Sequence, residues 1–181
     1  IESAQPVVND VVAKYNFTNE GGVCGTTRIL KNICGMWLLQ ECKRVWNQQG
    51  KKNALGEDLG WEDMNVLTAN ARPFVSFIDP DAPEFLAPSN MPQTVCEFAR
   101  KTGQWAPESD GAVLRTIVES LALKFRRVLA MCEEIGGKKI ETIHIVGGGC
   151  RNKLLCQATA DATGRRVVTG PIEGTGVGNI L

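Results

Sequence analysis

Apolar side chains recur at intervals of three and four residues in five stretches of the chain, and this spacing predicts amphipathic helices. Capping residues support the ends of these helices, as Ser109 does before the longest stretch and Gly164 after the last one. The predicted helices cover residues 33–49, 60–71, 91–102, 110–135 and 150–163.

Shorter runs that are rich in β-branched residues predict strands over residues 15–20, 26–30, 140–146 and 166–169. Glycines separate the first two strands, which favours a hairpin. In the third strand both alternating sets of positions are apolar, which is typical of a strand covered on both faces in an α/β fold. His144 in its middle is therefore expected to be a packed core residue.

Three glycines, Gly147 to Gly149, lie between that third strand and the last predicted helix. A turn without side chains lets a ligand approach the main chain, and the helix that follows offers free N–H groups and a positive dipole. This is where we expect a nucleotide. The pattern is neither a dinucleotide fingerprint, which requires glycine where Asn152 stands, nor a P-loop. Glycines that serve only the geometry of the turn are the alternative interpretation.

Composition narrows the possible partners. Twenty basic and twenty acidic residues balance in a chain of 181 residues, which gives no electrostatic footprint for nucleic acid or a membrane surface. No apolar stretch approaches the roughly 20 residues of a membrane span, and no signal peptide is visible. We expect a cytoplasmic protein. Its seven cysteines lack a C-x-x-C pair and are expected to be reduced, mostly buried thiols.

Several motifs together resemble a known family. IVGGGCRNKLLCQATADATG, followed by RRVVTGPIEGTGVGNIL, resembles the C-terminal domain of the FGGY carbohydrate kinases, which belong to the actin-like ATPase superfamily. TNEGGVCGTTRILKNICGMWLLQECKRVW, together with FIDPDAPEFLAPSNMP and ESLALKFRRVL, is similar to the members of that family that act on L-rhamnulose. The resemblance covers nearly the whole chain. It implies an α/β, ribonuclease H-like lobe with a mixed sheet flanked by helices.

The resemblance also implies an activity. These enzymes transfer the γ-phosphoryl group of ATP to L-rhamnulose with Mg²⁺, and they yield L-rhamnulose 1-phosphate and ADP in L-rhamnose catabolism. By resemblance, Gln40 and Gly148 contact ATP, with Gly147, Gly149 and Asn152 beside them. Asn152 is expected one turn into the last predicted helix, where it reaches the purine or the ribose.

Asn32 is implied as the ketose contact. An asparagine amide donates and accepts hydrogen bonds, as a sugar hydroxyl requires. Gln40 lies eight residues further on, a little over two helical turns, so both side chains are expected on one side of a helix. The alternative is that Asn32 only caps that helix.

The ends of the chain indicate a piece of a longer protein. The sequence begins with Ile1, and it stops within a predicted helix that starts near Glu173. We therefore interpret residues 1–181 as a partial C-terminal nucleotide-binding domain whose partner is the missing N-terminal, sugar-binding lobe. The family's catalytic aspartate lies upstream of this segment, so no catalytic residue is assigned here, and the fragment alone is expected to be inactive.

Other interpretations remain open. Related FGGY kinases act on fuculose, xylulose or glycerol, and an actin-like ATPase without sugar chemistry is a further possibility. A Rossmann oxidoreductase domain is disfavoured by the glycine pattern.

Asp79, Asp81 and Glu84 suggest a cation site, but turn-forming aspartates beside prolines explain them better. Lys124, with its two neighbouring arginines, is interpreted as part of a solvated face.

Overall fold

The structure, a computed structural model, describes residues 1–174 and residue 176. The helix expected at the end of the chain lies largely outside these residues. The helices of the described part are α1 (Asp10–Lys14), α2 (Trp37–Gln48), α3 (Trp61–Asn70), α4 (Met91–Lys101), α5 (Asp110–Gly136) and α6 (Lys153–Thr163). The strands are β1 (Glu2–Ser3), β2 (Thr18–Gly21), β3 (Thr27–Leu30), β4 (Thr142–Ile145) and β5 (Arg166–Thr169).

The strands form two small sheets within the described residues. The first is antiparallel in the order β1-β3-β2, so the predicted hairpin is confirmed. The second is parallel and pairs β4 with β5, from Thr142 opposite Arg166 to Ile145 opposite Thr169. Helix α6 connects these two strands, as parallel pairing requires. The α/β class is confirmed, whereas the single mixed sheet is not found in this part of the chain.

The main core is helical and is built around α5. The N-terminal half of α5 is almost wholly buried, and it packs against α2, α3 and α4. Its C-terminal half contributes Ile135 to a smaller cluster with Val12, Phe17 and Ile29 beneath the antiparallel sheet. The largest fully buried side chains of the main core are Trp46, Phe85, Leu38, Met91, Leu114, Ile117 and Leu121.

Most predicted helix boundaries are confirmed by their caps. Ser109 Oγ accepts a hydrogen bond of 3.2 Å from the Ala112 amide at the start of α5. Gly164 ends α6 in the left-handed conformation, with φ of 62°. None of the helices among the described residues combines the length and the hydropathy of a membrane span.

Two predicted boundaries in the N-terminal part of the chain were wrong. Helix α2 begins at Trp37 rather than at residue 33, because residues 31–35 take neither helical nor strand structure. The strand expected from residue 15 begins at Thr18, since α1 occupies the preceding residues and Tyr15 is its C-cap.

The environment of His144 also differs from the prediction. The side chain is exposed, because the β4–β5 sheet has only two strands in the described part of the chain and leaves this position uncovered. Periodicity alone predicted a covered strand, but burial depends on which elements lie against each face.

The turn between α5 and β4 is fixed by one carboxylate. Glu133 Oε1 accepts hydrogen bonds from the Ile140 amide, at 2.8 Å, and from Arg165 Nη2, at 3.0 Å. The Ile140 N–H and the Arg165 guanidinium hold the pKa of Glu133 below its ordinary value. The end of α5 is thereby tied to the start of both parallel strands, and these strands carry the glycine turn.

Candidate functional site

A cavity of about 480 Å³ lies between α2, α3 and the glycine turn. This volume falls in the range of roughly 300–1,000 Å³ that is typical of small-molecule sites. Its lining comes from separate parts of the chain. The lining residues are Met36, Gln40, Trp61, Asn65, Gly148, Gly149, Arg151, Asn152, Ile172 and Glu173.

The glycine turn continues from the parallel sheet. The Gly147 amide donates a hydrogen bond of 3.1 Å to the Pro171 carbonyl, and Gly147 has φ of 75°, which favours glycine. Residues Gly148–Arg151 then form a short 3₁₀ helix. A Cβ on Gly148 would meet no atom within 4 Å, so bare main chain lines the cavity there. Gly147 shapes the turn but does not line the cavity.

Asn152 is the N-cap of α6 and does not lie one turn inside the helix, as the sequence predicted. Its Oδ1 accepts a hydrogen bond of 2.9 Å from the Leu155 amide. The residue is only 8% exposed, yet it contributes to the cavity wall. The helix starts later than expected because the preceding residues are used by the 3₁₀ turn.

Asn152 both caps α6 and contributes to the cavity wall, and two substitutions test the capping role by itself. Replacing Asn152 with alanine removes the acceptor for the Leu155 amide, and we expect the free energy of unfolding to fall by about 1–2 kcal/mol. Replacing it with aspartate keeps an acceptor at the helix start and should preserve stability. Urea denaturation of both variants measures this difference, and equal losses of stability would contradict the capping role.

Gln40 and Asn32 do not share a helix face, because Asn32 lies outside α2. Gln40 lines the cavity described above, which we call the first cavity. Asn32 lines a second cavity of about 570 Å³ between the start of α2 and the loop of residues 80–86. The start of α2 lies between the two cavities, since Met36 lines the first and Trp37 the second.

The acidic residues of the proline-rich loop are paired with lysines. Lys124 Nζ lies 2.8 Å from Asp79 Oδ1 and 2.7 Å from Asp81 Oδ2, and Lys101 Nζ lies 2.6 Å from Glu84 Oε1. These carboxylates therefore anchor the loop to α4 and α5. The interpretation of Lys124 as part of a solvated face was wrong, since its side chain is only 14% exposed.

Both partners of the Lys124–Asp79 pair have shifted pKa values. Burial acts to raise the pKa of Asp79, but hydrogen bonds from Lys124 and from the Asp81 amide outweigh it and lower the pKa. Burial likewise acts to lower the pKa of Lys124, but its hydrogen bonds to Asp79 and Asp81 outweigh it and raise the pKa. The pair is therefore charged at neutral pH.

The cysteines are free thiols. Cys42 and Cys156 are buried, and burial raises the pKa of both, which keeps the thiols protonated. Cys24 is exposed and the other four cysteines are only partly buried, so the expectation of mostly buried thiols holds in full for two of the seven.

Sequence reasoning missed six residues of the first cavity: Met36, Trp61, Asn65, Arg151, Ile172 and Glu173. Trp61 lies at the start of α3 and is 42% exposed, with Lys43 Nζ 5.5 Å from the ring centroid. A tryptophan at the start of a helix can line a cavity or pack in the core, and its sequence context does not distinguish the two. A further cleft of about 540 Å³ around Trp105 contains none of the predicted site residues.

Residues 1–181 match the C-terminal domain of the FGGY family of carbohydrate kinases, and the chain belongs to that family. Its relatives include proteins named rhamnulokinase. The rhamnulokinase of Bacteroides thetaiotaomicron is 44% identical, that of Halalkalibacterium halodurans 38% and that of Bacillus subtilis 36%, each over 181 residues. The predicted resemblance is thereby confirmed.

Each of these matches covers 100% of the chain but only 35%, 37% and 36% of the respective relatives. The chain therefore spans about a third of the length of the curated relatives that it matches.

Proposed function

We propose that the chain is the nucleotide-binding, C-terminal part of a kinase that transfers the γ-phosphoryl group of ATP to L-rhamnulose, giving L-rhamnulose 1-phosphate and ADP. One observation carries this proposal. Gln40 lies more than 100 residues before Gly148 and Asn152 in the sequence, and all three line one cavity. The names of the similar proteins support the choice of L-rhamnulose as the acceptor.

The first cavity has the groups that a nucleotide needs. Gly148 and Gly149 offer main chain that a nucleotide can approach closely, next to the start of α6. Gln40 offers an amide to the purine or ribose from the opposite wall, and Arg151 adds a positive charge suited to phosphate. Trp61 provides an aromatic surface on which a base can stack. In this proposal the fragment is part of an actin-like lobe.

In this proposal the second cavity binds the ketose, which is the phosphoryl acceptor. Asn32 lines it, and its amide can both donate to and accept from the hydroxyls of a ketose. The start of α2 separates the two cavities, so ATP and ketose would approach from different sides of the same helix end.

Phosphoryl transfer depends mainly on positioning and on neutralising charge. Among the described residues, no group of three histidine, cysteine or acidic side chains could hold a metal ion. We propose that Mg²⁺ binds with the phosphates of ATP. The catalytic base and the remaining phosphate contacts would come from the N-terminal lobe. Because the reaction consumes ATP, we place the enzyme in the cytoplasm.

An acceptor panel tests this function. The complete protein, incubated with ATP and Mg²⁺, is expected to phosphorylate L-rhamnulose at a higher kcat/KM than fuculose, xylulose or glycerol. Titration with fluorescent ATP, ADP and NAD should show binding of the adenine nucleotides without binding of NAD. ATP hydrolysis without phosphorylation of any acceptor would instead favour an actin-like ATPase, and preference for another acceptor would identify a different FGGY kinase.

A further inference from the structure

Asp81 lines the second cavity and connects the segment that carries Asn32 with helix α5. Its Oδ1 accepts a hydrogen bond of 2.6 Å from the Cys34 amide, and its Oδ2 lies 2.7 Å from Lys124 Nζ. Cys34 follows Asn32 by two residues, and Lys124 lies on α5. The carboxylate therefore ties the segment that carries Asn32 to the longest helix of the core.

The segment that carries Asn32 depends on hydrogen bonds to other parts of the chain for its position. Residues 31–35 belong to neither a helix nor a strand, so no regular backbone ladder fixes their position. The neighbouring Trp37 supplies a second link, because its Nε1 donates a hydrogen bond of 3.3 Å to the Phe85 carbonyl. Both links run from the start of α2 to the loop of residues 80–86, which forms the opposite wall of the second cavity.

We propose that Asp81 is a positioning residue for the phosphoryl acceptor, acting through the Cys34 amide to fix Asn32 against the second cavity. This inference rests on the proposed function, in which Asn32 contacts the ketose. It adds a residue that acts from 47 positions further along the chain.

The charges around Asp81 suit this role. A hydrogen bond from a backbone amide to a carboxylate is shorter and stronger than one to a neutral acceptor. Lys124 balances the negative charge of Asp81. The Lys124 side chain is only 14% exposed, so it is held in place by the fold. Asp79 Oδ1 accepts a hydrogen bond of 3.1 Å from the Asp81 amide, which fixes the backbone of Asp81 as well. Both carboxylate oxygens of Asp81 already have protein partners, which favours an indirect effect on the acceptor.

Three variants of the complete protein separate this role from a general effect on the loop. Asp81→Ala removes both contacts of the carboxylate, whereas Asp81→Asn keeps an oxygen that can accept from the Cys34 amide. Glu84→Ala is the matched control, since Glu84 lies in the same loop and pairs with Lys101 rather than with residues 31–36. Thermal unfolding of each variant verifies that it is folded.

The first measurement does not depend on activity. Hydrogen exchange of the peptide that covers residues 31–37 should be at least about tenfold faster in Asp81→Ala than in the parent protein, because the Cys34 amide loses its acceptor. Asp81→Asn should give an intermediate rate, and Glu84→Ala the parent rate. Unchanged exchange in Asp81→Ala would overturn the proposal.

The second measurement is a kinetic comparison. The KM for L-rhamnulose should rise about tenfold in Asp81→Ala and less in Asp81→Asn, while the KM for ATP stays within about twofold of the parent value. A parallel rise of both KM values, or an unchanged ketose KM in an active enzyme, would overturn the acceptor role. A parent protein that phosphorylates no ketose would instead refute the proposed function, and the exchange rates would still show whether Asp81 holds the segment.

Discussion

Replacing Gly111 with alanine is expected to lower the free energy of unfolding by about 2–3 kcal/mol, although alanine is the better helix former. Gly111 is buried in the first turn of α5, where this helix meets α3. A Cβ there would overlap the Leu67 carbonyl oxygen and lie 3.1 Å from the carbonyl carbon. It would also lie 3.4 Å from Ala71 Cβ. Backbone atoms cannot rotate away, so the two helices must separate.

Gly136→Ala is the control for this prediction, because it makes the same change at the other end of α5. A Cβ at Gly136 would be 3.8 Å from Ile1 Cδ1 and 4.0 Å from Lys138 Cγ, which are ordinary contacts. Alanine should stabilise the protein there by up to about 1 kcal/mol. Urea denaturation measures both variants, and a Gly111→Ala protein as stable as Gly136→Ala would show that the helices are not in close contact.

Helix α5 shows what the sequence could predict. Its apolar spacing, the Ser109 cap and the glycines that end it are local signals, and its predicted range differs from the observed one by one residue. The need for glycine at position 111 is not a local signal. It depends on the Leu67 carbonyl of α3, whose distance to α5 is set only when the two helices pack.

The start of α2 shows where such prediction fails. Ile33 and Met36 fit a helical pattern with the residues that follow, so the helix was predicted to begin four residues too early. The structure instead directs the Cys34 amide to Asp81, which is 47 residues further along the chain. Periodicity contains no information about a distant hydrogen-bond acceptor. The placement of Asn32 and Gln40 on one helix face was wrong for the same reason.

Only some residues of the candidate nucleotide site were predicted from the sequence. The strand, the glycine turn and the helix indicated a candidate nucleotide site by backbone chemistry, and family resemblance singled out Gly148 and Gln40. The structure brings both to the first cavity. Their contact with ATP stays a prediction. Trp61 and Arg151 were missed because a cavity wall is defined by elements that meet only in the folded chain.

Replacing Gly148 with valine is expected to weaken ATP binding by about 100-fold, which corresponds to about 2.7 kcal/mol. Gly148 lies at the first cavity, and a Cβ there would meet no protein atom within 4 Å. The valine side chain should therefore be accommodated by the fold and fill space that we assign to the nucleotide. Binding of fluorescent ATP to the complete protein measures the loss, and an unchanged thermal unfolding midpoint would show that the fold is intact.

Gly21→Val is the matched control for Gly148→Val. Gly21 is exposed at the end of β2, a Cβ there would also meet no atom within 4 Å, and the antiparallel sheet that contains it contributes no residue to the first cavity. This variant should bind ATP with the parent affinity. If Gly148→Val also kept the parent affinity, the glycine turn would serve only the geometry of the chain, and the adenine nucleotide would have to bind elsewhere. If both variants lost affinity equally, the effect would arise from the β-branched side chain rather than from its position at the cavity.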